Sequence, residues 1–338
     1  MNELERAEFL IELYQELNPD AVVTGDTVIR GTSINKLAQT NAGGYNRVKN
    51  WLMAKASTKT QQKPKTQRAI KMAYIVPTEY INSLGSAGDF HLVLSHLMDE
   101  RIVNQYESEM VKSGKTLILD NGTFENGVPE EVGSLLAKAR RIGARCVFAP
   151  DYLYDAKKTN EAFERMYLEA IRTGAIEGGL KIAKVIQADT VGEYVDEYIK
   201  CAEDDRIGLL GISILTIPHI TSKIGMPEID KGRVLMLSIL NLLPKHRKSH
   251  LLGLGDSYAD VLYAQSSCDW VVSNDTSCCF QNGLEGKRLV GPLLTVEGGK
   301  SKIKVNFKQN DVSRVQYYDI QNNIMSVKSK INHADKSK

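Results

Sequence analysis

From residue 73 onward the chain repeats one motif: a short apolar run that stops at a polar residue or a turn. The runs are AYIVP (73–77), FHLVLSH (90–96), TLILDNG (116–122), RCVFAPD (145–151), IAKVIQA (182–188), IGLLGISIL (207–215), HLLGLG (250–255) and DWVVSND (269–275). They are continuous, not alternating, which suits parallel strands covered on both faces. Amphipathic stretches such as PEEVGSLLAKARRIG, NEAFERMYLEAIRTG and GEYVDEYIKCAEDD separate most of them. The link between the first two runs is short and carries no clear helical pattern. Eight strands alternating with helices predict an α/β chain folded as a (β/α)₈ TIM barrel. A doubly wound open sheet is the structural alternative, but no GxGxxG loop follows the first run.

Barrels of this kind carry their chemistry at the C-terminal strand ends. Those ends hold Asp120 and Asn121, Asp151, Gln187, Ser213, Gly255 and Asp256, and Asn274 and Asp275. His96 closes the second run and is a candidate to line the same mouth, although a structural role is commoner for a single His. An Asp at such a position also serves as an N-cap for the next helix. Asp256, with Ser257 and Asp260 behind it, fits that capping role best.

Ahead of the barrel, residues 31–55 have helix-turn-helix spacing. Leu37 and Ala38 fall in the first helix, Ala42 and Gly43 in the turn, and Val48, Trp51 and Leu52 on the inner face of the second. The outer face carries Tyr45, Arg47 and Lys49, donors suited to phosphates and base edges. A generic helical hairpin would solvate the same charges. The polar, basic stretch that follows reads as a linker, and its Lys59, Lys63, Lys65 and Arg68 could neutralise phosphates. The expected division is a helical DNA-contact segment (1–55), a linker (56–70), a barrel (71–300) and a C-terminal extension (301–338) read as a hairpin with a disordered tail.

Composition narrows this modestly. The 338 residues fit one barrel of about 250 residues and a small appendage. A net charge of +2 does not by itself announce a nucleic-acid binder. No apolar run approaches the roughly 18 residues of a membrane span, and the acidic amphipathic N-terminus is unlike a signal peptide. No membrane partner is expected. The five Cys are odd in number and lack CxxC spacing, so neither a disulfide framework nor a zinc site is expected. A reduced, cytoplasmic enzyme is the expectation.

Several carboxylates around one polar mouth suit a reaction centre that develops positive charge. A sugar C1′ losing its base is such a centre: one carboxylate attacks it while another moves the proton. A third, beside an amide such as Gln187, would read the paired N–H donors of guanine.

The motif order resembles the tRNA-guanine transglycosylase superfamily over roughly residues 71–285, and most closely its phage and bacterial DpdA-like DNA branch. LDNGTFE (119–125) resembles the family's DSGGFQ segment, which implies proton transfer by Asp120 and base stacking by Phe124. APD (149–151) and VIQAD (185–189) resemble the base-recognition stretches, which implies Asp151 and Gln187 as base contacts. GISIL (211–215) lies where the family has a glycine-rich wall, with Ser213 and Ile214 in place of glycines. HLLGLG resembles LMGVG. WVVSNDTS (270–277) lies where the family's nucleophile ends the eighth strand; a gapless match falls on Val272, and the DNA branch's D-S/T-S context points to Asp275.

The resemblance implies exchange of guanine in double-stranded DNA for a 7-deazaguanine, such as 7-cyano-7-deazaguanine, through a covalent Asp275–sugar intermediate. The base is a co-substrate, and no redox cofactor is implied. The tRNA enzymes carry a CxCxxC-plus-His zinc site after the eighth strand, whereas here Cys278 and Cys279 stand alone, so no zinc is expected. A tRNA-directed exchange enzyme and a non-catalytic DNA-binding protein are the alternatives.

Overall fold

The computed structural model describes residues 69–332, except 224–226, 256, 300, 302, 304 and 309. Eight parallel strands form one sheet curled into a nearly closed barrel: β1 (Lys71–Tyr74), β2 (His91–Leu94), β3 (Leu117–Asp120), β4 (Cys146–Phe148), β5 (Lys181–Val185), β6 (Ile207–Ser213), β7 (Ser249–Leu252) and β8 (Val271–Thr276). The ladder runs in chain order from β2 through β8, and β8 returns to β1, with Ala73 opposite Asp275. Each apolar run forms one of these strands.

Side chains alternate across the pleat. On β3, Leu117 and Leu119 point out into the layer beneath the helices, while Ile118 points into the barrel with Phe90, Leu92, Phe148, Val185 and Leu209. The parity that sends Ile118 inward carries Asp120, two residues on, to the mouth.

Most helices follow the βα alternation: α1 (Glu100–Ser113), α2 (Thr123–Asn126), α3 (Val132–Arg141), α4 (Ala156–Arg172), α5 (Val191–Glu203), α6 (Thr216–Ser222), α7 (Ile229–Asn241), α8 (Ala259–Ser267) and α9 (Cys278–Leu284). Thr190 starts α5 by accepting from the Glu193 N–H, and Asp155 starts α4 by accepting from the Lys158 N–H. After β1 there is no α-helix, only 3₁₀ turns at Thr78–Tyr80 and Gly85–Ala87.

The C-terminal extension departs from the expected hairpin. A short hairpin does form, but earlier, from β9 (Leu289–Val290) and β10 (Thr295–Val296). The extension itself folds into α10 (Arg314–Asn332). Ile320, Ile324, Val327 and Ile331 are buried along one face of α10, at the spacing of an amphipathic helix. Gln316 donates to the Leu284 carbonyl on α9, and Lys328 donates to the Ala87 carbonyl in the β1–β2 link. The ring of Tyr80 packs near both Phe280 and Tyr317. Thus α10 lies against α9 on one side and the β1–β2 link on the other, beside the strand that lacks its own helix.

β1 and β2 share no strand ladder. Asp89 bridges them instead: its carboxylate accepts from the Met72 N–H at 2.8 Å, and its own N–H donates to the Met72 carbonyl at 2.7 Å. A Cβ on the preceding Gly88 would lie 2.8 Å from the Met72 oxygen, so only glycine permits this approach.

Candidate functional site

At the C-terminal strand ends the barrel opens into a cavity of about 280 Å³. Asp120, Asn121, Asp151, Ser213 and Asp275 all line it. Its remaining walls are largely aliphatic, with Leu92, Val185 and Leu252 toward the barrel interior.

The turn after β3 depends on Gly122, whose φ of 77° lies in the left-handed region. The Gly122 N–H donates to Asp120 Oδ2 at 2.9 Å. Asn121 is buried, and its amide donates to the Ala149 carbonyl at 2.7 Å and to Asp151 Oδ1 at 2.6 Å. Its own oxygen accepts from the Thr123 N–H. On the other side Gln187 donates to Asp151 Oδ2 at 2.5 Å, while its oxygen accepts from the Thr216 hydroxyl and the Tyr154 N–H. Neither amide can turn over without losing bonds, so two fixed donors clamp the Asp151 carboxylate. Burial pushes the Asp151 carboxyl above the usual range, against the downward pull of the bonds from Asn121, Gln187 and Thr123. Tyr154, a non-glycine residue at φ 64°, is the strained link that brings its N–H to Gln187.

Asp275 is held differently. Its Oδ1 accepts from His250 Nε2 at 2.9 Å and from the Gly253 N–H at 3.0 Å. His250 is fully buried inside the barrel against Phe90 and Phe148, and its Nδ1 meets the Ser273 hydroxyl at 2.8 Å. A carboxylate only accepts, so Nε2 carries the proton and Nδ1 accepts from Ser273. Among the described residues, Asp275 Oδ2 has no hydrogen-bond partner. A bulge assists the placement: Ser249 pairs with Val271 but His250 pairs with Ser273, leaving Val272 as the extra residue in β8.

Behind Gly253 lies a buried support. Arg233, fully enclosed, pairs with Asp260 at 2.6 Å and donates to the carbonyls of Leu252 at 3.0 Å and Gly253 at 2.7 Å. Asn274 donates to the Leu251 and Gly253 carbonyls. It therefore faces away from the cavity, opposite to Asp275. Gly253 sits at φ 70°, and a Cβ there would come within 2.9 Å of Ile214.

None of Asp120, Asp151 and Asp275 caps a following helix with its side chain. Gln187 does not line the cavity but stands behind Asp151. His96 lies in the 3₁₀ turn Ser95–Leu97 and is not among the cavity-lining residues. Burial lowers its pKa; Glu130 opposes this, and Lys138 and Lys308 reinforce it. Asp260, offered above as part of a cap, is instead the buried partner of Arg233. Tyr45, Arg47, Lys49, the linker lysines, Asp256 and the side chain of Phe124 lie outside the described residues.

Two parts of the site escaped the sequence reading. His250 sits within an apolar run, but it shares strand parity with the inward Leu252, and that parity was its signal. Phe307 is the only aromatic residue among the described ones that line the cavity. It rides on a strap pinned at one end by the Ser301 N–H donating to Asn282 and at the other by Thr78, whose N–H and hydroxyl both donate to the Phe307 carbonyl.

A larger groove of about 840 Å³ lies at the opposite end of the barrel, between the links that follow α3 and α4. It is lined by Arg140, Arg141 and Arg145 over an apolar floor and holds no carboxylate pair. Among the described residues, no group of three or more His, Cys, Asp or Glu is arranged to hold a metal ion, and no helix is long and apolar enough to cross a membrane. Comparison of the chain with protein-family models and with curated proteins finds no match.

Proposed function

We propose that the chain is a base-exchange transglycosylase that replaces guanine in double-stranded DNA with a 7-deazaguanine. The observation that carries this reading is the pairing, in one cavity, of two carboxylates held in different ways. Asp275 is anchored through Oδ1 and leaves Oδ2 unpartnered, as a nucleophile requires. Asp151 is clamped at both oxygens, as a recognition group requires. The cavity volume is close to the lower end of the roughly 300–1,000 Å³ usual for small-molecule sites, which suits a single base and its sugar.

In the proposed reaction the guanine nucleotide is flipped into the mouth. Asp275 Oδ2 bonds to C1′ as the C1′–N9 bond breaks, and Asp120 in its acid form protonates the departing guanine. The 7-deazaguanine then enters. Its N9 bonds to C1′ as the sugar–Oδ2 bond breaks, and its N9 proton returns to Asp120. Protons balance over the cycle, and no carbon changes oxidation state, so no redox cofactor takes part. The outward lone pairs of Asp151 accept the two N–H donors of the base edge, and Phe307 offers a ring face for stacking. The choice of DNA over tRNA rests on the N-terminal donors Tyr45, Arg47 and Lys49 and on the basic linker.

The test is an exchange assay with labelled guanine and duplex DNA, with tRNA in parallel and 7-cyano-7-deazaguanine as competitor. Label entering DNA and blocked by the competitor is the expected result. Label entering tRNA alone moves the chain to the tRNA-directed class, and label entering neither overturns the reading. Asp275→Ala is expected to abolish the protein–DNA adduct seen by denaturing electrophoresis; an adduct that survives removes Asp275 as nucleophile.

A further inference from the structure

We propose that His250 and the Gly253 N–H form a two-donor cradle that favours the departure of Asp275 from the sugar, so that His250 governs the second half of the exchange more than the first. The inference rests on the base-exchange reading and goes beyond it, since that reading needs only an attacking carboxylate.

Both donors converge on the same oxygen, Oδ1, at 2.9 and 3.0 Å. In the first half Oδ2 attacks, and charge leaves the carboxylate as the ester forms. Donors on Oδ1 do not help that step, because they stabilise the charge being lost. In the second half the C1′–Oδ2 bond breaks and its electron pair returns to the carboxylate, so negative charge grows on Oδ1. Two fixed donors already aimed at that oxygen stabilise the growing charge without reorganising. The cradle is thus matched to ester breakdown.

The surrounding structure holds both donors still. The Asp275 carboxylate, which only accepts, puts the His250 proton on Nε2, and the Ser273 hydroxyl at Nδ1 holds the ring in place. Arg233 and Asn274 hold the Gly253 carbonyl, which fixes the turn that aims the Gly253 N–H. His250 does not line the cavity and is fully buried, so it acts on the substrate only through Asp275. It is a positioning residue, and a general acid–base role is not available to it.

The experiment compares the full-length wild type with His250→Phe, His250→Gln and Ser273→Ala in single-turnover reactions on guanine-containing duplex DNA. Intact-mass spectrometry follows adduct formation, and a chase with 7-cyano-7-deazaguanine follows its breakdown. In His250→Phe, breakdown is expected to slow roughly 100- to 1,000-fold, as for loss of one oxyanion donor, while formation changes much less and adduct accumulates. Gln, whose amide can donate to Oδ1, is expected to restore part of the breakdown rate. Ser273→Ala, a smaller change that leaves the ring in place, is expected to shift the balance in the same direction and serves if the Phe variant does not fold. Equal slowing of both halves, or no accumulation in either folded variant, overturns the cradle while leaving base exchange standing. A wild type that forms no adduct overturns base exchange itself, and the two failures are read from different samples.

Discussion

A carboxylate clamped from both sides by amides that cannot turn has one direction left to face, and Asp151 faces the cavity. Its ionised form accepts from Asn121 and from Gln187 and, on the base-exchange proposal, from an incoming pair of N–H donors. Protonation removes an acceptor and puts a donor against a donor. Because burial raises its pKa, that loss comes at a higher pH than for an ordinary aspartate. Base affinity should therefore fall on acidification at a pH above the usual aspartate range near about 4. Titration calorimetry of 7-cyano-7-deazaguanine across pH checks the sign, and an acid limb in the ordinary range contradicts it. Asp151→Asn should weaken binding at every pH and abolish the limb. Gly253→Ala meets two obstacles, a left-handed backbone and the Ile214 side chain. It should cost about 1–3 kcal/mol in chemical denaturation and lower the exchange rate with it. The aspartates were legible in the sequence because charged residues are conspicuous at the ends of apolar runs. His250 was not, because a polar residue within such a run is read as part of the strand until its parity is followed inward.

At the scale of elements, the eight strands of three to seven residues were legible because short continuous apolar runs have few other uses in a chain that alternates them with amphipathic helices. The β8 bulge was not legible, since an extra residue in a ladder shows only against its partner strand. Helix α10 was legible in principle: Ile320, Ile324, Val327 and Ile331 repeat at helical spacing. The Lys-rich stretch from residue 300 and the Lys-rich end of the chain suit a solvated tail instead. Ile320 is fully buried and lies against Gly283 on α9. Ile320→Ala should therefore cost about 2–5 kcal/mol, measured by urea unfolding. The Arg233–Asp260 pair joins α7 to α8 and supports the Gly253 turn. Arg233→Met alone strands a buried carboxylate and should cost about 3–5 kcal/mol, whereas Arg233→Met with Asp260→Leu should recover much of that stability but not the exchange rate. A double variant no more stable than the single one would show that the pair does not act as a unit.

For the whole molecule, the three cavity-lining aspartates gather at one end of the barrel, and the extension beyond the eighth strand completes both its wall and its mouth. The strap contributes Phe307 to the cavity, and α10 covers the flank beside β1. The feature with the widest reach is the Asp89 bridge. Seven of the barrel's neighbouring strand pairs are joined by ladders, while the eighth junction hangs on one side chain and one backbone contact. Circumferential strain has one weak rivet, so the ring should breathe there first. In a native-state hydrogen–deuterium exchange experiment, the amides of Met72 and Asp89 should exchange through a small local opening, well below the free energy that releases Leu251 in the middle of the continuous ladder. Phe307 lies at the mouth side of the same seam, lining both the main cavity and a small apolar pocket between β1 and β2. A ring opening of this kind would widen the cavity along one known line, while the carboxylates on β3 and β8 keep their strand partners.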